Sequence, residues 1–94
     1  MTKTDLFVLT EIAHNDLMET HNLISRTRDQ LGWCWNYTTM NEGKMGHFVK
    51  IGYLKNKVDS HHIWTEIVGG QNFSDASTKA ARMVLDDIDD SFFL

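Results

Sequence analysis

Ninety-four residues with 41% apolar content and ten aromatic side chains (three Trp, two Tyr, five Phe) suffice for one small packed domain and exclude a disordered chain. The net charge of −4 is too small for a DNA mimic and of the wrong sign for a general nucleic-acid binder. A single cysteine, Cys34, excludes an intrachain disulfide and a zinc ribbon, and no apolar run approaches the roughly 18 residues of a membrane span. The opening Met1-Thr2-Lys3-Thr4-Asp5 lacks the charged-then-apolar order of a secretory signal, so a cytoplasmic protein is expected.

Thr4 and Asp5 read as a helix start, a capping hydroxyl followed by a first-turn acid. From there Leu6, Leu9, Ala13, Leu17, Thr20, Ile24 and Leu31 recur at three- and four-residue steps, with Ile12 and Leu23 beside them. Gly32 suits the C′ position, and Arg26 and Arg28 suit the last turns. One long helix of about 40 Å is therefore predicted. The alternative is a break at His14-Asn15-Asp16, where Asp16 and Glu19 could cap a second segment and Leu6 to Ala13 would be a strand or a separate short helix.

Three strands follow. Trp33, Trp35 and Tyr37 alternate with Cys34, Asn36 and Thr38, and a turn is expected over Asn41-Glu42-Gly43-Lys44. In His47 to Leu54, Val49 and Ile51 oppose Phe48, Lys50 and Leu54; Lys55 to Ser60 turns again. In His61 to Val68, Ile63, Thr65 and Ile67 oppose His62, Trp64 and Glu66, and Gly69-Gly70 closes the strand. Short connections favour an antiparallel meander. Ser74 is the expected cap of a last helix, with Phe73, Ala76, Ala80, Ala81, Val84, Leu85 and Ile88 on its apolar face. The predicted fold is α+β in the order α-β-β-β-α, a single domain over residues 1–94. Both helices lie on one sheet face and the other face stays partly open.

That order, with Ala80-Ala81 and then Leu85 in the last helix, is similar to the double-stranded-RNA-binding domain. The resemblance implies a fold, and in that family the start of the last helix offers lysines to phosphates. Here that stretch is Phe73-Ser74-Asp75-Ala76-Ser77, followed only by Lys79 and Arg82, which argues against that activity.

The segment Asp86–Leu94 sets four carboxylates, Asp86, Asp87, Asp89 and Asp90, before Phe92, Phe93 and Leu94. Acids at a helix C-terminus oppose its dipole by a few tenths to about 1 kcal/mol each. The segment resembles the acid-rich, Phe-ended tips of single-stranded-DNA-binding proteins, which implies protein docking, although the body does not read as that family's barrel. Ile88 and Phe92 continue the helix phase, so packing on the same domain or on a second copy is the other reading. The acid-free stretch Gly43 to Val58 carries Lys44, Lys50, Lys55 and Lys57 as its counterpart in charge.

The open sheet face is expected to present Phe48, Lys50, His62, Trp64 and Glu66, aromatics and a cation that could hold a peptide or stack a base. His61 and His62 are neighbours on a strand and point apart, His14 and His21 lack a third ligand, and no zinc spacing appears. Asp59-Ser60-His61 holds triad residue types without triad spacing, and Cys34 reads as a buried, inert thiol. No enzyme, cofactor or metal is expected. The expected function is a non-catalytic protein-binding module, an inhibitor or adaptor of the kind phages and mobile elements use to block host machinery. Its contacts are Asp86, Asp87, Asp89, Asp90, Phe92, Phe93, Phe48 and Trp64. The alternative is a nucleic-acid binder using Lys44, Lys50, Lys55 and Lys57, with the acidic segment as a gate.

Overall fold

The structure, a computed structural model, describes residues 1–39 and 46–93. Helices α1 (Lys3–Ala13) and α2 (Leu17–Leu31) precede strands β1 (Cys34–Thr39), β2 (His47–Tyr53) and β3 (Trp64–Gly70). Helix α3 (Phe73–Asp87) and a single 3-10 turn (Asp90–Phe93) complete the chain. This is the predicted α+β order. The turn expected at Asn41–Lys44 lies outside the described residues.

In place of the single long N-terminal helix that was expected, the region is divided at His14-Asn15-Asp16. Asn15 takes a left-handed φ of 66°, which Asn tolerates better than most residues, and Asp16 restarts the helix by accepting from Glu19 N at 3.0 Å. Gln30 Nε2 donates to Met1 O at 2.7 Å, so α2 runs back along α1. The break re-phases the apolar stripe. Leu6, Leu9, Ala13, Leu23 and Leu31 are buried, whereas Ile12 and Leu17 are exposed. Two caps also differ from expectation. Thr2, not Thr4, caps α1 in a capping box with Asp5, whose carboxyl is held low chiefly by the Thr2 amide. Asn72, not Ser74, caps α3, because Ser74 is buried inside the first turn. There its hydroxyl lies 2.8 Å from Thr20 Oγ1, which also reaches Ala13 O and Asp16 O and so ties the interhelical turn to α3.

The sheet is an antiparallel meander in the order β1-β2-β3. Helix α3 lies on β2 and β3, and α1 packs against α2 and α3. Val49, Ile51, Leu6, Leu23, Val84 and Leu85 are the heart of the core, each at 0–1% exposure. Burying a side chain of this size stabilises by about 1.5–3 kcal/mol. Ala76, Ala80 and Ala81 let α3 approach closely, and Gly70 ends β3 directly beneath the backbone of Ala76.

Directly opposed residues of an antiparallel pair share a face. Trp35, Tyr37, Val49, Ile51, Tyr53, Trp64, Glu66 and Val68 therefore form the helix side. The other side consists of the rows Thr38–Phe48–Gly69, Asn36–Lys50–Ile67 and Cys34–Gly52–Thr65. This corrects the expected open face. Phe48 and Lys50 belong to it, but Trp64 and Glu66 lie opposite Tyr53 and Ile51, and His62 precedes the strand. It also corrects Cys34, which is exposed there rather than buried.

Candidate functional site

The uncovered sheet face is shaped by what its central position lacks. Gly52 sits mid-row between Cys34 and Thr65, so three small positions in register leave a furrow across the strands. Two depressions, of about 210 and about 160 Å³, share Cys34 and Gly52. Ile63 and Ile67 rise beside the furrow at 67% and 66% exposure, large apolar side chains left in water. Lys50 stands between Asn36 and Ile67 and is the one charged side chain that β1–β3 place on this face. Phe48 is half-buried, with Cε1 3.2 Å from where a Gly69 β-carbon would sit, so its ring lies over that glycine. No helix covers this surface among the described residues.

The acidic-aromatic segment folds back on its own domain. Asp87, at the end of α3, accepts from Tyr53 Oη at 2.6 Å and pairs with Lys55 Nζ at 3.4 Å. Burial, reinforced by the Asp87 carboxylate, pushes the Tyr53 phenol well above the ordinary tyrosine range. Asp89 N donates to Lys55 O at 2.8 Å and Lys57 N donates to Ser91 Oγ at 2.9 Å, which lays the segment along the β2–β3 connection. Lys3 Nζ donates to Ile88 O at 2.7 Å and reaches Asp90 at 4.0 Å. Ile88 is buried, and Phe92 and Phe93 pack against the core. Asp86, Asp89 and Asp90 remain exposed, and the Ser91 hydroxyl and amide hold the Asp89 carboxyl low. Replacing Tyr53 with Phe removes the buried end of this latch. A loss of about 1 kcal/mol is expected in urea unfolding, because water can reach the freed Asp87 carboxylate.

The lysines of the alternative reading do not share one described surface. Lys50 projects from the open face, Lys57 is exposed in the connection after β2, and Lys44 lies outside the described residues. Lys55 pairs with Asp87 and lies 3.7 Å from the centroid of the Trp64 ring. His62 stacks on the same ring at 4.4 Å, so Trp64 already carries two of its own neighbours. Among the described residues no three His, Cys, Asp or Glu side chains converge as metal ligands, and no helix is long and apolar enough to cross a membrane.

The features that sequence reasoning missed are Gly52, Cys34, Thr65 and the flanking Ile63 and Ile67. Only a cross-strand register reveals a row of small residues. No protein-family model matches the chain, and comparison with curated proteins and with solved structures finds no match either.

Proposed function

We propose that this chain is a non-catalytic protein-binding module, an inhibitor or adaptor that occupies a partner's surface with the uncovered face of its sheet. The observation that carries the reading is the pair Ile63 and Ile67, two-thirds exposed on either side of the Gly52 furrow. An apolar rim around a shallow trough offers a partner side chain a place to be buried, as the centre of a protein interface requires. Lys50 adds one cation, which favours a partner segment carrying a carboxylate beside its apolar anchor. Exposed Asp86, Asp89 and Asp90 are more distant contributors, suited to steering a basic partner.

The test is affinity capture from cell extract with matched variants. Ile67→Lys is expected to lose at least tenfold of a partner retained by the parent chain, with an unchanged melting temperature because Ile67 lies in water. Asp86→Asn, Asp89→Asn and Asp90→Asn together should slow capture without abolishing it. Equal retention by the Ile67 variant would remove the open face from the proposal. The nucleic-acid alternative separates on salt: four phosphate-contacting lysines give a log–log slope of about −3 to −4, and Lys55, held by Asp87, should lower it. A mobility shift at low salt that vanishes with Lys50→Gln would favour that alternative.

A further inference from the structure

A second concave surface lies on the other side of the sheet, between α2 and β1. His21, Ile24 and Arg28 recur at i, i+3 and i+7 and so share one face of α2. That face looks across at Trp35 and Tyr37, which share the helix side of β1. Val49 forms the floor and Phe73 closes one end, enclosing about 200 Å³. The closed end is aromatic. Phe73 meets Tyr37 edge-on at 4.7 Å and His21 at 5.3 Å, and Tyr37 stacks on His47 and shares a hydrogen bond with it.

The opposite end is cationic. Arg28 Nη2 donates to Trp35 O at 3.3 Å, a single long bond on an exposed guanidinium. The remaining donors of its fork have no partner among the described residues. Among the described residues no carboxylate lines the groove. Seven helical residues separate the two ends, a span of about 10 Å.

We propose that this groove binds a small planar aromatic carboxylate, ring against Tyr37 and Phe73, carboxylate on Arg28. Size supports one ring with a short acid arm, since a cavity of about 150 Å³ holds benzene. The aromatic walls favour a flat ring over an aliphatic chain, because ring faces and edges pair in stacked or T-shaped geometry. A carboxylate matches the guanidinium fork in both charge and shape. The groove and the proposed docking face lie on opposite sides of the sheet, Tyr37 and Val49 on one and Gly52, Thr65 and Ile67 on the other, and they meet at the edge strand, where Trp35 and Asn36 border both.

Cinnamate is the probe, followed by two-dimensional amide NMR of the whole chain. Saturable shifts are expected at residues 21–28, 35–37 and 73, with a dissociation constant on the order of 1 mM, and not at Gly52, Thr65 or Ile67. Cinnamamide, its neutral isostere, and Arg28→Gln with cinnamate should each weaken binding roughly tenfold. Cyclohexanepropionate should bind measurably less well than cinnamate. Absence of shifts at about 10 mM cinnamate, on the same concentration scale, or equal binding of cinnamamide by the parent chain overturns the proposal. Concentration-dependent broadening of the same amides without ligand would assign the groove to a second copy and overturn it too.

Discussion

Gly70→Ala is expected to destabilise the fold by about 3 kcal/mol, the upper end of what overpacking usually does. A β-carbon at Gly70 would lie 2.5 Å from Ala76 N, 2.8 Å from Ala76 Cα and 2.9 Å from Asp75 Oδ2. Two of those three atoms are backbone or Cα of α3, so no side-chain rotation relieves the clash. The helix must lift from β3, and the core under Ala76, Ala80 and Ala81 opens with it. Gly52→Ala is the control. The atoms nearest its β-carbon would be those of Ile63, Cys34 and Trp64 at 3.6–3.9 Å, ordinary contact distances. That variant should stay within about 1 kcal/mol of the parent, since alanine restricts the unfolded chain without straining the folded one. Urea midpoints for the two variants check the contrast, and equal midpoints would show that the α3–β3 approach is not as close as described. Because Gly52→Ala also begins to fill the furrow, the same protein tests partner binding in a chain that still folds.

The element order was legible because each period survives in the sequence: three- and four-residue steps, then alternation, then steps again. One long helix was the expectation, yet the place where it breaks was legible as the alternative, since Asp16 is a strong cap and Asn15 accepts a left-handed backbone. The consequence of the break for Leu17 was not, because a turn of three residues rotates the second helix by an amount that sequence spacing does not encode. The face of β3 was misread for a related reason. Ten residues, 54–63, join β2 to β3, so no tight turn pins the register, and a one-residue slip exchanges both faces of a strand. Trp64 and Ile67 thus traded places, and with them the character of the open surface.

The acidic-aromatic segment posed a choice between its own lysines and another molecule's. Asp87 lies against Lys55 and Asp90 within reach of Lys3, while Asp86 and Asp89 have no lysine partner among the described residues. Half-exposed pairs of this kind contribute little by themselves. The segment is held instead by two hydrogen bonds to the β2–β3 connection, Asp89 N to Lys55 O and Lys57 N to Ser91 Oγ, and by Ile88, Phe92 and Phe93. Phasing from α3 pointed to Ile88, but the partner strand segment could not be read from composition. The α2–β1 groove was wholly hidden, because Arg28 read as a last-turn cation and His21 as a histidine without co-ligands until β1 is placed beside them.

The largest electrostatic effect is expected at Asp75, which no charge count singles out. It is almost fully buried at the start of α3, and three groups donate to it: Gln71 N at 2.9 Å, Lys79 Nζ at 3.0 Å and His14 Nε2 at 3.2 Å. The Gln71 amide first, then the Lys79 ammonium, hold its carboxyl at about 2, below the ordinary 3.8, against the opposing effect of burial. The folded state therefore binds this proton less readily than the unfolded chain. Stability from Asp75 is fully present above pH ~4 and is lost as pH falls from about 4 to about 2, an amount on the order of 2 kcal/mol. Asp75→Asn keeps the shape and an acceptor for Gln71 but gives up the charge. Its deficit against the parent should be about 2 kcal/mol at pH 7 and should close as both approach pH 2. Paired urea titrations across that range measure it directly. A deficit independent of pH would mean that geometry, and not charge, holds the start of α3 against β3 and α1.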